Sequence, residues 1–479
     1  MVRDFCLAIN RSIAALNSHG HQPIVTPVLL FCSAVLFIFV LHPRLGIRDV
    51  DGYAYIMGAR SLQQGYGYRG LTGEAFNHWP PGYSALLSAF GDPLRTALLL
   101  NYLSFGTTIS VIYFLLRKLD WAWQAGLGFS VALGCGFFRL LANEVHADIL
   151  SYALFFIAIT FALQRSERTL SGLIWSLLVP IKLIAVVFLP SAFLADSIAA
   201  QRGWGSLVRS YWLPGIALVT SIGVIITFNV LTVDTWLPAS HGASSLKVIA
   251  AAAPNFIISL LRSFLFSWHG TVAATFPRIA FSLCMILAAI CFCSLRPTPD
   301  GRWLRIYGMS CLVCSALLLC VRSYDPSVRL LGYGLIIFIM GFRPMEWADG
   351  GWLLYGLLSI ITAGVNGITV NSLGINDYRY IKLAEEVKSY YVGSDVVATN
   401  SFHILDVYAK ITSIPVNDYV SASKYSKFFW VTLPQFDAVA TTVTEVPHPG
   451  SDWCEQKSFS GGVLFTRCNN SIGLESNPR

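Results

Sequence analysis

RDVDGYAYIMGARSLQQGYGYRGLTGEAFNHWPPGYSALLSAFG, residues 48–91, lies between two long apolar runs. It is acidic at its start and aromatic throughout. Connections longer than about 12–15 residues in compact proteins are functional or disordered, and this one is too rich in Tyr, Trp, Phe and Leu for disorder. It reads as an ordered loop outside the membrane, wedged between the first two spans and carrying the functional site. Within it, DGYAYIMGARSLQQGYGY predicts a helix with Tyr55, Ala59 and Leu62 at helical spacing, ended by Gly65 and Gly67. Trp79-Pro80-Pro81-Gly82-Tyr83 predicts a stiff turn that starts the return to the membrane.

Composition agrees with a membrane setting. Of 479 residues, 55% are hydrophobic and only 12% charged, and the mean hydropathy is +0.60. Soluble domains carry about 25% charged residues, so the chain is expected to be a polytopic helical membrane protein. The net charge of +7 does not point to nucleic acid, because the basic residues scatter near span ends. Beyond residue 370 lie 9 of the 33 basic and 11 of the 26 acidic residues, leaving 24 and 15 before it. That excess fits cytoplasmic anchoring of spans.

Spans of roughly 20 apolar residues are expected at 24–42, 96–116, 123–141, 149–164, 211–231, 274–294, 303–321, 326–342 and 351–370. The stretch 172–199, broken at Pro180-Ile181-Lys182, is expected to cross twice, with Lys182 at its outer turn. The positive-inside rule puts the N-terminus, retained as an uncleaved anchor, in the cytoplasm. The loops 43–95, Glu144–Asp148, 232–273 and Arg322–Arg329 then lie outside. Arg117–Lys118, Arg165–Arg168, Arg202–Arg209, Arg296–Arg305 and Arg343 lie inside. About eleven crossings result, most simply those of a bacterial inner membrane. Segment 250–268, with Arg262 inside it, is expected to be an interfacial helix.

Two domains are expected: a membrane domain, 1–370, and an extracytoplasmic α+β domain, 371–479. In the second, DYRYIKLAEEVKSYY predicts a helix with Tyr380, Leu383, Ala384 and Val387 on its apolar face, and SDVVATN, DAVATTV and GGVLFTR predict strands. Of the eleven cysteines, Cys284, Cys291, Cys293, Cys311, Cys314 and Cys320 read as small apolar residues packed between helices. Cys311-x-x-Cys314 falls mid-span and reads as structural rather than redox-active. Cys454 and Cys468, in the polar C-terminal segment, are expected to form a disulfide in an oxidising compartment.

Asp49-x-Asp51 sits among apolar and aromatic residues close to the bilayer surface. A carboxylate there can serve as a general base toward an acceptor hydroxyl, or the pair can hold a divalent cation, Mg or Mn, through oxygen ligands. A polar cluster, Asn143-Glu144-Val145-His146-Ala147-Asp148, opens the fourth span. Charges at such a boundary are costly unless functional or paired. Three potential ligands within five residues lack one good helical face, which argues against zinc.

The order Asp, three residues, Tyr, then Ala…Leu…Gly-x-Gly-Tyr, then Trp-Pro-Pro-x-Tyr, then Leu-Leu resembles the first outer loop of bacterial membrane glycosyltransferases of the GT-C class. These are relatives of the protein O-mannosyltransferases and the lipid A aminoarabinose transferases. The resemblance is specific around 48–91 and extends in architecture over about 24–345. It implies a GT-C-like fold, a polyprenyl-phosphate-linked sugar as donor, and an extracytoplasmic glycan, lipid or protein as acceptor. By it, Asp51 is the catalytic acid, followed by Tyr55, with Asp49 as its partner. Asp148 matches an acidic residue of the family. Lys182, and Arg329 in VRLLGYGL, match cations that contact the carrier phosphate, with Arg322 as a second candidate. Tyr55, His78, Trp79, Glu144, His146 and Asp148 then line the site or meet the acceptor. Relatives have adjacent acids where this chain has Val50 between Asp49 and Asp51.

The reading is an inverting, lipid-linked glycosyltransferase. A transporter or flippase is the alternative, weighed against by charges that gather at the outer boundary rather than mid-bilayer. An inactive scaffold of the same fold is the other.

Overall fold

The computed structural model describes residues 25–41, 50–69, 76, 79–142, 145–164, 167–199, 203–233, 283, 286–322, 328–372, 377–391, 397–399, 405, 411, 413–415, 427–431, 453–459 and 462–467. The described chain is mostly helical. In order come α1 (Val25–Leu41), α2 (Val50–Gln63), α3 (Gly82–Ser88), α4 (Pro93–Lys118), α5 (Trp123–Leu133), α6 (Arg139–Ala142), α7 (Asp148–Ala162), α8 (Arg168–Leu178), α9 (Phe188–Ala199) and α10 (Trp204–Val233). After them come β1 (Leu295–Pro297), α11 (Arg302–Arg322), α12 (Val328–Met340), β2 (Phe342–Pro344) and α13 (Asp349–Ser372). Among the described residues three helices, Pro93–Lys118, Trp204–Leu231 and Glu346–Val365, are long and apolar enough to cross a membrane. Shorter apolar helices accompany them, including Val25–Val40, Asp148–Ala162 and Arg329–Met340.

Helix boundaries follow local chemistry. Asp92 caps α4 by accepting from the amides of Leu94 and Arg95, with Pro93 at the first turn, where its missing N–H costs nothing. The break expected at Pro180–Lys182 is present: α8 stops at Leu178, and a 3-10 turn, Leu183–Val187, leads into α9. The helix expected at 123–141 runs without a gap from residue 123 to residue 142 and widens into a π-helical turn at Gly134–Phe138. Pro214 lies inside α10. The Ser210 carbonyl, which Pro214 leaves without a helical N–H, accepts instead from Thr169 Oγ1 of α8 at 3.3 Å, so the helix runs on past a residue that usually breaks one. Cys293 is exposed rather than packed, whereas Cys291 and Cys311 are buried.

Loops expected on the same side gather at the same end. Arg296 of β1 pairs opposite Arg343 of β2, and Trp121 Nε1 donates to the Phe342 carbonyl at 2.7 Å. All of those loops are expected at the inner face. The loop helix α2, the start of α7, Lys182 and the start of α12, all expected outside, meet at the other end. Segment 250–268 lies outside the described residues.

The outer loop has its own core. Tyr53, Tyr55, Met57, Tyr68, Phe76 and Tyr83 are buried together with Val145 and Ala147. The helix predicted at Tyr55–Leu62 is present, and Gly65 and Gly67 end it with φ of +79° and +82°, a backbone that glycine adopts without a Cβ penalty. It does not have one apolar face, however: residues 52–59 are buried on every side. Aromatic rings of the returning loop cover the side that would otherwise face solvent, as in the edge-to-face pair of Tyr55 and Tyr83, 5.0 Å apart.

In the C-terminal segment, α14 (Asp377–Tyr390) buries Leu383, Ala384 and Val387 against Val397, Phe429 and Leu464. They belong to a five-stranded sheet of β3 (Val397–Thr399), β4 (Ser413–Pro415), β5 (Lys427–Val431), β6 (Trp453–Phe459) and β7 (Gly462–Arg467) in the order β4-β3-β5-β7-β6. The pairs of β3 are parallel and those of β7 antiparallel. Two predicted strands are present as β3 and β7. DAVATTV lies outside the described residues. Cys454 is disulfide-bonded, and Cys468 is outside the described residues.

Candidate active site

Four segments far apart in sequence meet in one charged cluster. Asp51 stands in the first turn of α2 and Asp148 in the first turn of α7, where the helix dipole favours a negative charge. Lys182, extended, precedes the 3-10 turn after α8. Arg329 is in the first turn of α12, an end where a cation is disfavoured unless acids neutralise it. They do: Arg329 Nη1 is 2.9 Å from Asp51 Oδ2 and 3.6 Å from Asp148 Oδ2. Lys182 Nζ is 2.7 Å from Asp148 Oδ1. Asp148 is fully buried and Arg329 is about one-third exposed.

Asp51 has two further polar neighbours. Trp79 Nε1 donates to Oδ1 at 2.8 Å, and His146 Nδ1 is 3.5 Å from Oδ2. Behind the cluster, Tyr152 of α7 donates to the Arg329 carbonyl at 2.9 Å and stacks on Tyr333 of α12 at 3.8 Å. This stack sets the separation of α7 from α12, and so holds Arg329 over Asp148.

Burial opposes ionisation of Asp51, but the His146, Arg329 and Lys182 side chains and the Trp79 N–H outweigh it, holding the carboxyl well below the usual carboxylate range. A lowered folded-state value gives stability that is complete above the unfolded value of about 3.9 and is lost as pH falls through the folded one. Because a histidine beside Asp51 changes charge between about pH 5 and 8, the melting temperatures of wild type and Asp51→Asn are expected to run parallel only above that range, from about pH 8 to pH 9. A gap that opens or closes inside that window contradicts this electrostatic account. Burial, together with the Asp51 charge, also pushes the Tyr55 phenol up, so it stays a neutral hydroxyl.

Of the residues singled out in the sequence, Asp51, Trp79, His146, Asp148, Lys182 and Arg329 come together, with Tyr55 packed on the same helix. Asp49, His78 and Glu144 lie outside the described residues, as does the side chain of Arg322. Tyr152 and Tyr333 were missed; nothing in their local sequence sets them apart from other span aromatics. Among the described residues no group of three His, Cys, Asp or Glu side chains is placed to hold a metal ion, and Lys182 and Arg329 already neutralise the two carboxylates.

A second buried cluster forms from charges that the sequence alone does not bring together. At the other end of α8, Arg168 is 3.0 Å from Asp196 Oδ1. Trp303 Nε1 also donates to Oδ1, at 2.8 Å, and the Tyr211 hydroxyl to Oδ2 at 2.9 Å. The Arg168 guanidinium lies 4.4 Å from the centre of the Trp303 ring. All four side chains are buried, so the knot reads as a fastener of α8, α9, α10 and α11.

No family model matches the sequence, and neither does any curated protein. Solved structures do. The chain is similar in structure to the bacterial enzyme ArnT. With ArnT from Cupriavidus metallidurans bound to undecaprenyl phosphate, the TM-score is 0.48 at 11% identity, over 95% of this chain and 100% of that one. Its apo state gives 0.49 at 13%, over 94% and 99%. The archaeal oligosaccharyltransferase AglB from Archaeoglobus fulgidus, in complex with an inhibitory peptide and a dolichol-phosphate, gives 0.38 at 11%, over 85% and 69%. ArnT is a lipid A aminoarabinose transferase, one of the groups that the outer loop resembles.

Proposed function

We propose that the protein is an integral-membrane glycosyltransferase that moves a sugar from a polyprenyl-phosphate donor to an extracytoplasmic acceptor, with inversion. The observation that carries the proposal is the convergence of Asp51 and Asp148 with Lys182 and Arg329 at one end of the helix bundle, beside an aromatic loop. Two cations there suit a phosphate, and a carboxylate beside them suits proton abstraction. Of the two roles open to Asp51, base or cation ligand, this geometry supports the base.

The acceptor O–H faces Asp51, and its oxygen attacks the anomeric carbon as the carboxylate takes the proton. The bond from that carbon to the phosphate oxygen breaks on the opposite face, and polyprenyl phosphate leaves onto Lys182 and Arg329, which stabilise its new charge. One displacement inverts the anomeric centre. A carboxylate held by Arg329, His146 and Trp79 is a weak base. An incoming phosphate that draws Arg329 toward itself restores the basicity of Asp51, so donor binding and base activation are one event. In this reading the cluster end of the bundle faces outward, the N-terminus and the β1–β2 end face the cytoplasm, and 371–479 stands outside to help bind the acceptor.

Polyprenyl phosphate, the leaving group, tests the cation assignment directly. Lys182→Ala and Arg329→Ala are each expected to weaken its binding by about tenfold or more, since one charge-assisted hydrogen bond contributes about 1.5–3 kcal/mol. Wild-type affinity in both variants removes the phosphate site from this cluster.

A further inference from the structure

We infer that the turn Trp79–Gly82 is a two-ended positioning device, which sets the carboxylate of Asp51 at one end and the phosphate-binding Lys182 at the other. The inference rests on the glycosyl-transfer reading and concerns how its base and its cation are held in register.

At the first end, Trp79 Nε1 donates to Asp51 Oδ1 at 2.8 Å. That bond fixes the roll of the carboxyl group, so that Oδ2, the oxygen beside Arg329 and His146, is turned into the cluster. At the second end, the Gly82 N–H donates to the Pro180 carbonyl at 2.8 Å. Pro180 is two residues before Lys182, in the turn that breaks the α8–α9 hairpin. A Cβ on residue 82 would stand 2.5 Å from the Pro180 oxygen and 2.7 Å from its carbonyl carbon, so only glycine lets the two backbones approach this closely. Between the two ends lie Pro80 and Pro81, whose fixed φ keeps their separation stiff. On the far side, the Lys182 N–H bonds back to the Leu178 carbonyl at 2.8 Å, so a displacement of Pro180 carries Lys182 with it. Trp79 and Gly82 are therefore positioning residues. Trp79 sets the proton-taking oxygen, and Gly82 sets the distance from that oxygen to the departing phosphate.

The test uses the full-length protein in lipid, with two readouts: kcat and KM for a polyprenyl-phosphate sugar, and the Kd for polyprenyl phosphate. Trp79→Phe is expected to lower kcat by about tenfold or more while the Kd stays within about twofold, since small misplacements at a reacting centre are costly. Gly82→Ala is expected to weaken the Kd by about tenfold, because it pushes on the Lys182 turn, and to lower kcat as well. Should Gly82→Ala fail to fold, Pro80→Ala loosens the same turn without adding an atom and carries the same double expectation. A folded Gly82→Ala or Pro80→Ala protein with wild-type Kd overturns the link to Lys182, and Trp79→Phe at wild-type kcat overturns the link to Asp51. Wild-type protein without transfer to any acceptor sinks the glycosyl-transfer reading instead, and the Kd arm still reads the Gly82–Lys182 link.

Discussion

Transfer by the Asp51→Asn protein falls by about 100- to 10,000-fold, the share of rate that a positioned general base supplies. Asparagine keeps the shape of the side chain and an oxygen for the Trp79 N–H, but it cannot take the acceptor's proton. The fold should tolerate the change, because Arg329 keeps Asp148 within 3.6 Å and Lys182 keeps its own 2.7 Å contact with the same carboxylate. Polyprenyl phosphate should bind the variant at least as well as wild type, since one competitor for Arg329 is gone. Lost kcat with retained lipid binding separates the base from a purely structural carboxylate. A well-folded Asp51→Asn protein at wild-type rate contradicts the assignment.

The largest effect on stability is expected at the other cluster. Asp196→Ala should cost about 3–5 kcal/mol, because it strips the buried Arg168 guanidinium of its carboxylate. It also takes away the acceptor for Trp303 and Tyr211, which bond to the two oxygens of Asp196. Thermal unfolding in lipid or detergent reads this directly. The double replacement Arg168→Met with Asp196→Leu should regain most of the loss, since removing both charges of a buried pair is often neutral. Because the knot lies at the opposite end of α8 from Lys182, kcat per folded molecule should stay near wild type. An Asp196→Ala protein as stable as wild type contradicts the account of this cluster as a fastener.

The contrast between the two clusters shows what a sequence can reveal. Asp51 was legible because it opens a polar, aromatic loop between apolar runs, next to a helix with a glycine stop. Lys182 stood out because a lysine and a proline interrupt an otherwise apolar stretch, and Arg329 because it begins a span. Asp196 had no such marker. It is one acid near the end of an apolar helix, its cation lies 28 residues earlier, and its indole donor lies 107 residues later. Only tertiary packing makes that knot. The same limit hid the Trp79 bond to Asp51, which joins two ends of one loop, and the Gly82 bond to Pro180, which joins two loops. The break in 172–199 was readable from Pro180, whereas the π-helical turn at Gly134–Phe138 was not, since its GCGFF sequence fits an ordinary α-helix. The burial of α2 on every side also escaped a reading based on one apolar face, because loop aromatics supply the second cover. In the C-terminal segment, GGVLFTR was readable as a strand from its β-branched, aromatic run. The short β4 carries only the tripeptide SIP and takes its extended form from pairing with β3.

The most direct measurement is transfer by the purified wild-type protein in lipid, given polyprenyl-phosphate sugars and hydroxyl acceptors, with and without EDTA, following both the glycosylated product and free polyprenyl phosphate. The account predicts that the two products appear in equal amounts and that the anomeric configuration is inverted. The EDTA arm reports whether a divalent cation takes part. Movement of the lipid-linked sugar or another solute across vesicles, with no polyprenyl phosphate released from any donor, would contradict the account and return the transporter reading.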